Sequence, residues 1–234
     1  MGSRMTYSRL IGALFIAGFV TYGVGFALTS SVIGAPDFLS TISAHQTTLV
    51  LGAFLMLLNT VVDVGKGVLF FPILENYGKR TALTYLAALI VQVVFMDIGV
   101  LCLLMLVPLG QYAVEAGGVS AAWATGLGSL LIDGNTMAYH IGQATLCFGG
   151  IFLSALLYRS RLLPRFLAGW GLIGYVLHLA GAIAEIFGVP VSYLLLIPGG
   201  LFEVGLAFWL IFKGFQHVAG GQRRSEAATA LATA

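Results

Sequence analysis

Six stretches of this chain are apolar over a length that suits a lipid bilayer. Each has at least the roughly 20 helical residues that cross a hydrocarbon core about 30 Å thick. Backbone groups in lipid must bond internally, which a helix achieves within one segment. We therefore predict an all-α fold, a polytopic membrane helix bundle with six transmembrane helices. Predicted helices one to six cover approximately Arg9–Ser30, Gln46–Leu74, Thr81–Leu109, Thr136–Tyr158, Arg165–Phe187 and Val191–Phe215.

These helices use most of the 234 residues, of which 59% are hydrophobic and only 9% are charged. A soluble domain has about 25% charged residues. We expect residues 1–219 to form a single transmembrane domain. The tail 220–234, "GGQRRSEAATALATA", has no apolar period and is predicted to be a disordered cytoplasmic tail. Cys102 and Cys147 both fall within predicted helices, so a disulfide framework is not expected.

The basic residues indicate the orientation of the chain. Ten of the 11 Lys and Arg residues lie near the start of helix one, at the junctions of helices two and three or four and five, or at the end of helix six and beyond, and Lys66 is the exception. The other connections contain no Lys or Arg, and two of them contain the acidic residues Asp37, Glu115 and Asp133. Because short cytoplasmic loops retain Lys and Arg, both termini are predicted to be cytoplasmic, in a bacterial cytoplasmic (inner) membrane. The small net charge of +2 gives no indication of nucleic-acid binding.

The longest connection, Gly110 to Asn135, contains apolar residues at helical spacing. They are Val119, Ala122, Trp123, Leu127, Leu130 and Leu131. This pattern predicts a short external amphipathic helix on the outer membrane surface, with Trp123 at the headgroup level. A helix that caps a cavity is the alternative.

Polar residues inside the predicted helices are the candidates for function. A charged side chain at the bilayer centre costs about 2.5 to 3.5 kcal/mol, so these residues should face one another. Spacings of four and three place Asn59, Asp63 and Lys66 on one stripe of helix two, where Lys66 can pair with Asp63 or reach a carboxylate on a neighbouring helix. The predicted ligand-binding site or ion pathway comprises Asn59, Asp63, Lys66, Gln92, Asp97 and Glu203.

A second polar group is predicted in the outer leaflet. It comprises His140, Gln143, His178 and Glu185. Each histidine lacks a second ligand at the HxxxH spacing, so no cofactor is expected, although haem or metal binding at His140 and His178 stays open. The chain has no Walker loop, dinucleotide fingerprint, HExxH, CxxC or nucleophile elbow.

Four stretches resemble a family of bacterial six-helix integral membrane proteins, domain of unknown function 4386. They are "RLIGALF", "LLNTVVDVGKGVLFFPIL", "YRSRLLPRFLAGWGLIGYV" and "IPGGLFEVGLAFWLIFKG". The resemblance runs from Arg9 to about Gly214 and implies six helices, but no activity. Matching positions are Asn59, Pro72, Arg159, Pro164, Arg165, Pro198 and Glu203. Many members of this family carry Arg and Glu where this chain has Leu89 and Gln92, whereas its charges at Asp63, Lys66 and Asp97 occupy positions that are usually apolar.

Three functions fit these observations. The first is binding or transport of a small ligand, proton or ion through the polar cluster between helices two, three and six. The second is a membrane-embedded enzyme or haem or metal protein that uses the outer histidines. The third is a scaffold subunit that packs against copies of itself or a larger membrane complex. The partners expected are the lipid bilayer and a small-molecule, proton or ion ligand.

The orientation can be tested with single cysteines at Gly118 and Gly220, in a background without Cys102 and Cys147. A membrane-impermeant thiol reagent applied to intact cells should label position 118 and leave position 220 unlabelled until the cells are broken. Labelling of both positions from the same side would contradict the predicted topology.

Overall fold

The computed structural model describes residues 2–116 and 118–216, and its described elements are all helical. Position 1, position 117 and the predicted tail at 220–234 lie outside the described residues. The helices are α1 (Gly2–Ile33), α2 (Phe38–Ala44), α3 (Gln46–Ala116), α4 (Gly118–Ser160), α5 (Arg165–Ile186) and α6 (Ser192–Phe212).

Predicted helices two and three form one element, α3, of 71 residues. Gly78 breaks it, with a non-helical φ of −179° and ψ of 83°. The two arms, residues 46–77 and 79–116, fold back on each other, so that the rings of Phe70 and Tyr85 lie 6.1 Å apart. Five described helices are long and apolar enough to cross a membrane. Because the two arms of α3 can each cross, the described residues form six spans, which confirms the predicted membrane helix bundle.

The long external connection is organised differently from the prediction. The second arm of α3 continues to Ala116 and α4 starts at Gly118, so the two helices form a hairpin with almost no loop. The predicted amphipathic helix is present as the first part of α4, which has 43 residues, and it is not a separate element. Trp123 is 62% exposed. The two apolar helices support each other beyond the length of a single span, a tertiary effect that helical periodicity alone does not reveal.

The short helix α2 was not predicted, and it covers the end of this hairpin. A β-carbon at Gly110 would lie 3.0 Å from the carbonyl oxygen of Leu39, and one at Gly128 would lie 2.7 Å from the ring of Phe38. The hydroxyls of Ser40 and Thr41 bond to the backbone at the start of α2, to the carbonyl oxygen of Asp37. Helix α2 therefore packs on the hairpin, and neither α2 nor the described residues of 110–134 line the internal cavity.

The six spans form a ring in which each contacts the next and α6 returns to α1. The side that holds Gly78 and both ends of the described chain is called the terminal side here. There Arg9 Nε donates to the Ile211 carbonyl at 3.2 Å, and the Gln216 amide donates to the Leu162 carbonyl at 2.9 Å. The other side, called the distal side, holds α2 and the α3–α4 hairpin.

Two hydrophobic cores fill the ring, one towards each side. The terminal core includes Phe70, Leu74, Tyr85, Leu89, Phe202 and Leu206. The distal core includes Ile42, Leu49, Met56, Val100, Leu103 and Ala124. Along α3, the buried polar residues Asn59, Asp63 and Lys66 fall between the two cores in the first arm, and Gln92 falls between them in the second. The bundle therefore carries a polar layer at mid-depth.

Glycines allow neighbouring spans to approach closely. A β-carbon at Gly25 of α1 would lie 2.7 Å from the carbonyl oxygen of Gly52 in α3. One at Gly174 of α5 would lie 2.9 Å from the Gly199 α-carbon of α6. Small residues at helix crossings permit this backbone contact in membrane bundles.

Gly174→Ala should lower the midpoint of thermal unfolding in detergent, by an amount equivalent to roughly 1–3 kcal/mol, because α5 and α6 must separate to admit the new methyl group. Gly126→Ala is the matched control, since a β-carbon at Gly126 meets nothing within 4 Å. Equal midpoints for the two variants would contradict the close packing of α5 on α6.

Candidate functional site

An ion pair lies at the centre of the polar layer. Lys66 Nζ is 2.6 Å from Asp63 Oδ1, and both residues are buried. The other carboxylate oxygen of Asp63 accepts hydrogen bonds from Asn59 Nδ2 at 3.2 Å and from Gln92 Nε2 at 3.4 Å. The predicted stripe on the first arm of α3 is thus joined to the second arm by Gln92. Three donors compensate the buried charge of Asp63.

Helix α1 provides the surface against which this ion pair lies. A β-carbon at Gly18 would lie 3.2 Å from Asn59 Oδ1 and 3.7 Å from Lys66 Nζ, so the missing side chain leaves space for the polar groups. Lys66 Nζ also lies 4.6 Å from the centre of the Phe15 ring. An ammonium group over an aromatic face is attracted by the ring quadrupole, and this contact adds to the pairing with Asp63.

Glu203 reaches the same region from α6. Its Oε1 accepts a hydrogen bond from the hydroxyl of Tyr175 on α5, at 2.8 Å. Glu203 is also close enough to Lys66 to attract it electrostatically. The carboxylate is therefore oriented by a neighbouring helix, while Lys66 is attracted by two acidic residues, Asp63 and Glu203.

Three buried polar atoms near these groups have no hydrogen-bond partner among the described residues. They are Gln92 Oε1, His140 Nδ1 and His178 Nε2. The three residues are at most 7% exposed. Buried polar atoms in native proteins are almost always bonded, to protein or to a bound molecule or water. These three residues therefore mark one region of the bundle in which buried polar atoms lack hydrogen-bond partners within the described part of the chain.

A cavity of about 300 Å³ occupies that place, and all six spans contribute to its wall. Eight of the predicted site residues line it: Asn59, Asp63, Lys66, Gln92, His140, Gln143, His178 and Glu203. From the sequence, these residues were predicted to form two separate groups, a central cluster and an outer-leaflet group. The structure brings both groups to one cavity, which lies at the lower end of the size range for ligand pockets.

Two predicted site residues lie elsewhere. Asp97 does not line the cavity, and it lies beside Thr60, between the two arms of α3. Five helical positions separate it from Gln92, which turns its side chain by about 140° to another face of the arm. The structure therefore does not bring Asp97 together with the central cluster. Glu185 also lies outside the lining, where its Oε2 is 3.9 Å from His140 Nε2.

Sequence reasoning missed the aromatic part of the wall. Phe15, Phe19, Tyr22 and Phe26 of α1 all line the cavity. Their spacings of four, three and four place them on one helical face, a pattern that was visible in the sequence but is ordinary for lipid-facing residues. Tyr175 was missed as well, although it stands three residues before His178 on the same face of α5.

The described residues contain no group of three or more His, Cys, Asp or Glu side chains that could hold a metal ion. His140 and His178 both line the cavity. Cys147 is buried and Cys102 is partly buried, and both are free thiols.

The chain belongs to the family described as Domain of unknown function (DUF4386), whose profile matches residues 10–214. This match covers all six spans and confirms the resemblance noted in the sequence. No curated protein and no solved structure matches the chain. The class defined by fold and family is a multi-pass membrane helix bundle with a polar internal cavity.

Lys66→Met should destabilise the protein by roughly 3–5 kcal/mol, because the substitution leaves the Asp63 carboxylate buried without its cation. The double variant Asp63→Asn, Lys66→Met should recover much of this loss, since both charges are then absent. The measurement is the midpoint of thermal unfolding in detergent. Lys79→Met is the control, because Lys79 is an exposed lysine near Gly78. A wild-type midpoint for Lys66→Met alone would contradict a stabilising ion pair.

Proposed function

We propose that this protein binds a small ligand inside the membrane, in the cavity enclosed by its six spans. The observation that carries the proposal is the set of buried polar atoms without partners, on Gln92, His140 and His178, around a cavity of about 300 Å³. A bound molecule with hydrogen-bonding groups would satisfy all three.

The cost of the polar layer supports this function. Charged side chains at the bilayer centre are costly and usually mark a binding site or an ion path. A purely structural layer would need only pairs that satisfy each other. Here the carboxylate of Asp63 is bonded by Lys66, Asn59 and Gln92. The side-chain oxygen of Gln92, by contrast, has no hydrogen-bond partner among the described residues.

Transfer of a proton or ion is the second candidate. Asp63, Lys66 and Glu203 all line the cavity, so three ionisable groups are available on one path. Glu203 would be the carrier in this case, because Tyr175 holds one of its oxygens while Asp63 is occupied by Lys66. Ligand binding is favoured over this alternative by the volume of the cavity and by its aromatic wall.

An enzymatic or haem-binding role and a scaffold role receive less support. Both histidines line the cavity. This position suits hydrogen bonds to a ligand as well as it suits ligation of a haem iron. Gly25 and Gly174 pack against neighbouring spans of the same chain, which leaves these two positions unavailable to an external partner.

We further propose that the protein lies in a bacterial cytoplasmic membrane with its terminal side facing the cytoplasm. The supporting observation is charge asymmetry. Arg9, Lys79, Arg80, Arg159, Arg161, Arg165 and Lys213 belong to the terminal side, whereas Asp37, Glu115 and Asp133 belong to the distal side. This distribution follows the positive-inside rule.

Native mass spectrometry of the protein released gently from its membrane tests ligand binding. Wild type should carry a bound mass that Glu203→Gln and Gln92→Leu retain roughly 10- to 100-fold less well, since a hydrogen bond to a charged group contributes about 1.5–3 kcal/mol. Asp97→Asn is the matched control, because it changes an intramembrane carboxylate outside the cavity. Loss of the bound mass in Asp97→Asn, or no bound mass in wild type, would contradict the proposal.

The same Glu203→Gln variant distinguishes the second candidate. In proteoliposomes that contain a pH-sensitive dye, proton transfer through Glu203 requires that wild type dissipate a pH gradient and that Glu203→Gln fail to do so. If the cavity only binds a ligand, the two proteins should give the same low rate as Asp97→Asn.

A further inference from the structure

The cavity has an open side between α1 and α6. Towards the terminal side these helices are in contact, and a β-carbon at Gly12 would lie 2.6 Å from the Ala207 carbonyl oxygen. Towards the distal side they present glycines to open space. A β-carbon at Gly23 would meet nothing within 4 Å, and one at Gly200 would meet only Leu196 of its own helix, at 3.9 Å. Both glycines line the cavity, so the space between them leads into it.

The edge of this gap is aromatic and exposed. Phe19 is 40% exposed and Phe26 is 44% exposed, although both also line the cavity. The ring of Tyr22, between them on α1, stacks on Tyr139 of α4 at 5.8 Å. The mouth of the cavity is therefore apolar, while its inner wall carries Asp63, Lys66 and Glu203.

The depth of the gap places it against lipid chains. Arg9 at the terminal side belongs at the headgroup level, as basic residues flanking a span do. With a rise of 1.5 Å per residue, Phe19 and Phe26 lie about 15 Å and about 26 Å further along α1. The hydrocarbon core is about 30 Å thick, so the mouth opens within it. A molecule dissolved in the bilayer can reach the cavity without passing through water.

The inner wall specifies the polar end of such a molecule. Gln92 Oε1 can only accept a hydrogen bond, and the carboxylate of Glu203 accepts as well. The charge of Lys66 is already met by Asp63 at 2.6 Å. A head that donates hydrogen bonds fits these acceptors. An anionic head would instead face two carboxylates, with one cation that is already paired.

We propose that the ligand is a single-chain amphiphile with a hydroxyl- or amine-bearing head, which enters the cavity sideways from the bilayer between α1 and α6. This inference rests on the proposed ligand-binding function and names the chemistry of the ligand. The head lies against Gln92 and Glu203, and the chain leaves past Phe19 and Phe26. A cavity of about 300 Å³ accommodates a head and the first part of one chain.

Photolabelling in lipid nanodiscs tests the proposal. The probes share one alkyl chain with a diazirine next to the head, and they differ only in the head: glycerol, amine or sulfate. Labelled peptides are mapped by mass spectrometry. Met96 reports on the interior, since it lines the cavity and is 4% exposed. Phe208, which is 51% exposed, reports on the lipid-facing surface, and Phe70, in the terminal core at 0%, gives the background.

The glycerol or the amine probe should label Met96 well above the level at Phe70, and the sulfate probe should not. The double variant Gly23→Leu, Gly200→Leu fills the gap and leaves every polar side chain of the wall in place. It should lose the label at Met96, keep the label at Phe208 and stay at background at Phe70, which shows that the bundle remains embedded and packed. Gly126→Leu is the control, and it should label as wild type does. Each single variant should lose part of the label, so the result does not depend on the double variant alone.

Three results would overturn this inference. Label at Met96 that persists in the filled-gap variant excludes sideways access, and equal labelling by the sulfate probe excludes the donor head. Background label with every probe excludes the amphiphile. In that last case the native mass measurement separates the two proposals. A bound mass that depends on Gln92 means that the cavity binds a water-borne ligand, and its absence means that the ligand-binding proposal fails as well.

Discussion

The arrangement of this bundle depends on keeping one ion pair out of lipid. Asp63 and Lys66 lie at mid-depth, where an uncompensated charge is costly, so the neighbouring spans must supply partners. The second arm of α3 supplies Gln92, and α1 supplies the Phe15 ring and the space at Gly18. With α6 bringing Glu203 close to Lys66, the ring is organised around a polar centre and has separate hydrophobic cores on either side.

The six spans could be predicted from the sequence because the physical requirement is local. A run of about 20 apolar residues must form a helix in lipid whatever its neighbours do. The stripe of Asn59, Asp63 and Lys66 could be predicted equally well, since it depends only on helical periodicity. Lys66 does pair with Asp63. The extended hairpin of α3 and α4 and the short helix α2 could not be predicted, because they depend on apolar contacts between segments that are distant in sequence.

The candidate site was predictable by residue type and less so by position. Polar residues inside apolar helices are conspicuous, and eight of them do line the cavity. Asp97 was grouped with them by depth, whereas its rotation around the helix directs it to Thr60. The cavity's aromatic wall could not be separated from lipid-facing aromatics, since both give the same periodic pattern. Tyr175 became a site residue only when α5 and α6 were seen to lie side by side.

The break at Gly78 has a consequence for how this chain can change in length. Asp63 and Gln92 stand at nearly equal distances from Gly78 along the two arms, and their hydrogen bond depends on that match. A β-carbon at Gly78 would lie 2.9 Å from Leu156 of α4, so the break is held in place and cannot slide along the helix. Inserting or deleting one residue within either arm would rotate everything beyond it by about 100° and shift it by about 1.5 Å. Substitutions can therefore alter the polar layer step by step, whereas insertions and deletions are compatible with it only at the outer ends of the arms.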